Sequence, residues 1–169
     1  MITHCVSAVK PGGVRLAFAP MAVECAGDVG IEAAPAVCFS ATADLERWTE
    51  WARDLERVEV LERNPEGRPS RARMVADLFG KEFDATVDFD HQAPGELRFR
   101  LVEARKLASL DGSFRFEPGP DGTTMTYRLH MVLVKPKAAR IERMVARKID
   151  TAFSRDLRRH IERDVARRR

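Results

Sequence analysis

Hydrophobic positions along this chain follow two periods, and the change between them divides it. From Ala138 onward Ile141, Met144, Val145, Ile149, Ala152, Phe153, Leu157, Ile161 and Val165 recur at steps of three and four. That spacing draws one apolar stripe along an α-helix. No glycine or proline follows Pro136, so the spacing predicts one unbroken helix over 136–169, with a stripe roughly 40 Å long at 1.5 Å per residue. Upstream the period is two. Leu55 to Glu62 reads as a strand, and Asn64-Pro65-Glu66-Gly67 as a turn. Ala72, Met74, Ala76 and Leu78 alternate with Arg71, Arg73, Val75 and Asp77; Phe83, Ala85, Val87 and Phe89 alternate with Asp84, Thr86, Asp88 and Asp90. Leu97, Phe99 and Leu101 continue the pattern, followed by Leu110, Gly112, Phe114 and Phe116, then Met125, Tyr127, Leu129, Met131 and Leu133. Gly80-Lys81, Pro94-Gly95 and the run from Pro118 to Gly122 mark the corners.

Ahead of this meander, Val23, Cys25, Val29 and Ile31 suggest an extended segment over 22–33. Pro35 suits the first turn of a helix that puts Val37, Cys38, Ala41 and Leu45 on one side, and 44–51 reads as a second short helix. Strict alternation over consecutive strands gives a sheet with one wet and one dry face. Only the C-terminal helix is long enough to cover the dry face. The predicted fold is therefore α+β: a curved antiparallel sheet of about seven strands wrapped around the C-terminal helix, with two short helices after the first strand. A curved sheet and a straight rod do not touch everywhere, which predicts a space between them where small molecules bind.

Composition fits one domain: 169 residues, 44% hydrophobic and 33% charged. Residues 1–20, with Pro11-Gly12-Gly13 and Pro20, read as a loose N-terminal leader, and residues 21–169 as one ligand-binding domain; Met21 stands where an alternative start would sit. The apolar run Leu16 to Ala19 is too short for a secretory signal. Three cysteines at scattered spacings, Cys5, Cys25 and Cys38, argue for a reducing cytoplasm and against a disulfide framework or zinc site. The formal charge is only +3, yet residues 135–169 hold 13 Lys or Arg against 5 Asp or Glu. That basic helix face is a solvated helix back on the plain reading and a candidate contact for a membrane surface or a ribosome on the other; it is no strong nucleic-acid signal.

Five segments carry a family resemblance. Ala34-Pro35-Ala36-Val37-Cys38-Phe39 resembles an opening helix, Asp44-Leu45-Glu46-Arg47-Trp48-Thr49-Glu50-Trp51 a D-x-x-x-(Y/W)-x-x-W segment, and Val58-Glu59-Val60-Leu61 the strand after it. Leu110-Asp111-Gly112-Ser113-Phe114 resembles an L-x-G-x-(W/F/Y) strand, and Gly122-Thr123-Thr124-Met125-Thr126-Tyr127 the G-T-x-(V/M)-x-Y start of the last strand. In this order, over about 22–164, they resemble the SRPBCC superfamily of START, birch-pollen-allergen-like and polyketide cyclase-like proteins, nearest its cyclase/dehydrase-like or coenzyme Q-binding-like branch. The resemblance implies a helix-grip fold and a hydrophobic ligand cavity far more firmly than any reaction.

The cavity residues expected from parity and from the resemblance are Trp48, Trp51, Leu78, Phe83, Val87, Phe99, Leu101, Leu110, Gly112, Phe114, Tyr127 and Met131, with Met144, Val145 and Ile149 from the helix. Tyr127 is the one polar member. Gly112 leaves room for the helix or for a ligand. His91 and His160 read as surface histidines, and His130 falls on the wet face. Asp84, Asp88 and Asp90 opposite Arg98 and Arg100 read as cross-strand pairs and not as a metal site. No Ser/His/Asp arrangement, phosphate loop or inward carboxylate pair can be assembled, so no catalytic residue, metal or cofactor is assigned. The expectation is carriage of a small hydrophobic molecule such as a lipid, an isoprenoid quinone or a polyketide. An aromatase/cyclase would need further inward polar groups, for example Glu103 or Arg105.

Overall fold

The computed structural model describes residues 22–135 and 137–169, and the expected leader at 1–20 with Met21 lies outside them. β1 (Ala22–Ile31) leads into α1 (Pro35–Ala43) and a 3-10 turn (Leu45–Glu50). Six strands follow: β2 (Leu55–Arg63), β3 (Pro69–Asp77), β4 (Glu82–Gln92), β5 (Glu96–Ala104), β6 (Leu107–Gly119) and β7 (Gly122–Leu133). They form one antiparallel sheet in the order β1-β7-β6-β5-β4-β3-β2, so the first strand closes beside the last. The C-terminal segment runs as α2 (Ala139–Thr151), a π-turn (Ala152–Asp156) and α3 (Leu157–Arg167). None of these helices is long and apolar enough to cross a membrane.

The helix is continuous but not uniform, and its apolar spacing explains why. Val145, Ile149, Phe153, Leu157 and Ile161 follow one another at steps of four. At about 3.6 residues per turn each such step overshoots a full turn by about 40°, so the stripe would drift around a regular helix. In the π-turn the Leu157 N–H donates to the Ala152 carbonyl, five residues back. The wider turn takes up the extra residue. Val145, Phe153, Leu157 and Ile161 all remain buried. The Ser154 hydroxyl donates to the Asp150 carbonyl at 2.7 Å beside it, a back-bond that competes with the regular ladder. Met144, expected on the stripe, is 41% exposed; the dry line runs from Ile141 to its neighbour Val145 instead. Val37 is likewise exposed, and α1 buries Cys38, Phe39, Thr42 and Ala43 instead.

Strand parity places the core. Ala85, Val87, Phe89, Leu97, Phe99, Phe114 and Phe116 point inward and are buried, with Met125, Tyr127, Leu129, Met131 and Leu133 of β7. Gly112 lies directly opposite Phe99. A Cβ on it would run into the Phe99 ring and meet the Arg128 carbonyl oxygen at 2.5 Å. The missing side chain therefore makes room for Phe99, not for the helix or a ligand.

On the wet face Glu62, Arg71, Asp88, Arg100, Asp111, His130 and Glu24 stand directly opposite one another, one per strand across the whole sheet. Alternating acids and bases on adjacent strands favour this register over one that sets like charges opposite each other. The acids of β4 do pair across strands, but their hydrogen bonds go to β3: Arg71 donates to Asp88 at 2.6 Å and Arg73 to Asp84 at 2.9 Å. Those guanidinium groups hold both carboxyls below the usual range. Asp90 faces Arg98, as expected.

His160 departs from its expected surface position. It is buried at the junction of α3 with the 3-10 turn, 3.8 Å from Glu50 and 3.9 Å from Asp164. Arg47 bridges those two carboxylates. Burial, reinforced by Arg47 and Arg163, pushes the imidazole below its ordinary value of 6.5 despite the two acids. The folded protein thus binds fewer protons at this residue than the unfolded chain, and stability rises with pH through this range. Stability is expected to fall as pH drops through 6.5, and His160→Gln to flatten that part of the profile, read as denaturant midpoints against pH.

Candidate functional site

Aromatic rings fill the middle of the grip. Phe153 of the π-turn sits 4.7 Å from Phe114 between ring centroids, 5.7 Å from Tyr127 and 6.4 Å from Trp51. Trp48 packs on Trp51, Phe89 and Phe114, and Phe99 on Phe89 and Phe114. The tryptophans are thus members of the core, and Trp48 donates its indole N–H to the Thr42 carbonyl at 2.8 Å. Val87, Met131 and Val145 are buried in the same cluster, while Leu78, Phe83, Leu101, Leu110 and Ile149 are partly buried against it.

A broad concavity, open to solvent, lies elsewhere: most of its wall is the charged wet face of the sheet, and at one end it runs into the seam between β1 and α2. The seam forms where α2 packs against β1, the edge strand that pairs with β7. β1 contributes Cys25, Gly27 and Val29 and β7 contributes Tyr127. The helix contributes Arg143, Ala146, Arg147, Asp150 and Ser154, which recur at steps of three and four on one face. Of the cavity residues expected from sequence, Tyr127, Phe99 and Gly112 border this concavity.

At the floor of the seam the Tyr127 hydroxyl donates to Asp150 Oδ1. Gly27, directly opposite Tyr127, is the reason the phenol reaches the helix. A Cβ there would meet the phenol oxygen at 2.5 Å. Burial, and then the hydrogen bond to Asp150, push the Tyr127 phenol well above its ordinary value. Burial beside Asp150 likewise pushes the Cys25 thiol up to about 12. Both groups are therefore neutral near pH 7. The Tyr127 phenol gives its one proton to Asp150, so the site offers a ligand acceptor oxygens from Tyr127 and Asp150, together with apolar surface from Val29 and Ala146. Two arginines, Arg143 and Arg147, stand on the helical face that lines it. Glu103 and Arg105 are both exposed, so neither is an inward polar group.

Parity singled out Tyr127 but not its partner. Asp150 sits between Ile149 and the Thr151–Phe153 segment, where a single acid beside an apolar stripe reads as solvated. The available signal was the pair Asp150 and Ser154, four residues apart and flanking Phe153.

A seven-stranded antiparallel sheet gripping a C-terminal helix, with two short helices after the first strand, defines the helix-grip class. Residues 31–158 match the model of the family described as polyketide cyclase / dehydrase and lipid transport, and the chain belongs to that family. Solved structures agree in fold. A START superfamily protein from Mycobacterium smegmatis superposes with a TM-score of 0.71 at 20% identity, covering 84% of this chain and 97% of that one. TTHA0849 from Thermus thermophilus gives 0.65 at 21%, covering 83% and 97%. Zhui aromatase/cyclase from Streptomyces sp. R1128 gives 0.63 at 17%, covering 86% and 96%. No curated protein sequence matches the chain.

Proposed function

We propose that this protein binds a small, mostly apolar molecule along the seam between β1 and α2, with its polar end held by Tyr127 and Asp150. The observation that carries this reading is the Tyr127–Asp150 hydrogen bond, which joins an inward-facing strand residue to the helix at the foot of a solvent-open crevice. Buried polar groups in an apolar wall fix a ligand's orientation, while affinity comes from the apolar surface it buries. Lipids, isoprenoid quinones in their reduced form and polyketides can each combine an apolar body with a hydroxyl that donates to this pair. The family, described by cyclisation, dehydration and lipid transport, is consistent with such ligands.

A cyclase reading has one observation in its favour: Zhui, of like fold, is an aromatase/cyclase. Binding without turnover is the better reading because a phenol pushed above its ordinary value is a poor proton donor near pH 7. Glu103 and Arg105 are exposed, and the polar groups that do line the site beside Tyr127 are engaged with one another: Asp150 takes the phenol proton, and the Ser154 hydroxyl donates to the Asp150 carbonyl.

Gentle purification followed by native mass spectrometry and solvent extraction tests the reading. A stoichiometric apolar adduct is expected, and Tyr127→Phe should weaken retention of a hydroxyl-bearing ligand about tenfold, the worth of one buried hydrogen bond. A ligand-free protein that turns over a poly-ketone would favour the cyclase.

A further inference from the structure

The turn between β3 and β4 is built from an unusual residue. Phe79 and Gly80 have φ of 59° and 71°, and Leu78 and Lys81 exchange backbone hydrogen bonds of 2.9 and 3.2 Å around them. This is a two-residue hairpin with both central residues left-handed, a geometry that favours Asn-Gly or Asp-Gly. A bulky aromatic at the first of those positions is strained, and Phe79 gains little core packing in return, being 43% exposed. Strain kept at an exposed tip points to a use outside the fold.

Contacts join this tip to two other exposed apolar residues. Lys148 Nζ lies 5.0 Å from the Phe79 ring centroid, and Met144, 41% exposed, is one turn earlier on α2. On the other side Lys106 reaches the Glu82 carbonyl and stacks over Phe83, and its own carbonyl accepts from the N–H of Val134, which is 52% exposed. Phe79, Met144 and Val134 therefore share one end of the molecule, on three separate segments with Lys81, Lys106 and Lys148 among them. Of the acids at this end, Asp54 pairs with Lys148 at 2.8 Å and Asp77 accepts from the Gly80 N–H at 2.7 Å, while Glu82 and Glu103 are exposed beside Lys81 and Lys106.

We propose that this end docks on anionic lipid surfaces, with Phe79 as the inserting tip. Separate apolar side chains interleaved with lysines suit a bilayer interface, where each ring or thioether enters among acyl chains while the ammonium groups stay at the headgroups. A protein partner would more naturally meet one contiguous apolar patch. The charge count in the C-terminal region points to the whole helix back; the geometry narrows contact to its first turns and the hairpin beside them. The inference is independent of what the seam binds.

Vesicles of phosphatidylcholine, alone or mixed with phosphatidylserine, provide the test by co-sedimentation. The protein is expected to bind the mixed vesicles, and less so as salt rises. Phe79→Asn should weaken binding about tenfold while keeping or raising the melting temperature, because asparagine accepts the left-handed turn; Met144→Asn should weaken it similarly. Three results would overturn the proposal: no binding to the mixed vesicles, binding unchanged in both variants, or self-association of the parent protein that Phe79→Asn abolishes, which would assign the face to a second copy.

Discussion

Phe153→Ala is expected to cost about 3–5 kcal/mol of folding stability, the range for removing a large buried aromatic. Phe153 is 7% exposed and contacts Phe114, Tyr127 and Trp51, so its ring joins the helix to β6, to β7 and to the segment after the 3-10 turn. It also belongs to the π-turn, whose wider geometry brings it onto the same line as Val145 and Leu157. The cavity left by alanine would lie between elements that cannot all collapse onto it. Against a total stability of about 5–15 kcal/mol this is a large fraction, and the melting temperature should drop by of the order of 10 °C. Phe153→Leu keeps most of the volume and should cost about 1–2 kcal/mol. Denaturant titration of the three proteins checks the order.

Gly112→Val is expected to leave no stably folded protein. A Cβ at 112 meets the Phe99 ring and the Arg128 carbonyl oxygen together. The ring could turn away only by leaving a core it shares with Phe89 and Phe114. The carbonyl belongs to β7, whose Arg128 lies across from Ser113 of β6, and cannot retreat without parting those strands. A second change, Phe99→Leu, should relieve only the first contact and fail to rescue. Gly95→Ala is the control. An added Cβ there meets nothing nearer than the Gln92 carbonyl oxygen at 3.9 Å, and the change should alter stability by no more than about 0.5 kcal/mol. Soluble yield and circular dichroism distinguish the two glycines.

What the sequence made legible was whatever a fixed period controls. Alternation in β4, β5 and β7 set the inward residues directly, because a pleated strand has only two faces, and Val87, Phe99, Tyr127 and Met131 are buried as that rule requires. The helix was harder. Steps of three and four allow either Met144 or Val145 to follow Ile141 on the stripe, and the run of four-residue steps that the π-turn accommodates shows only once Val145 is chosen. His160 illustrates the same difficulty: it lies three residues after Leu157 and beside Ile161, on the buried line, yet a histidine among arginines reads as solvated. The seam was hidden for a different reason. It depends on β1 reaching β7 across the whole chain and on Gly27 yielding space to Tyr127, relations between residues a hundred positions apart. Within the sequence Asp150 was simply one acid on a basic helix.

The reading of the function stands on the seam being where an apolar guest is held. An amide NMR titration with the neutral apolar probe N-phenyl-1-naphthylamine reports this residue by residue. The largest shifts are expected at Cys25, Gly27, Val29 and Tyr127 and on the facing helix at Ala146 and Asp150. Saturable shifts confined to other surfaces, or none at all, would contradict it.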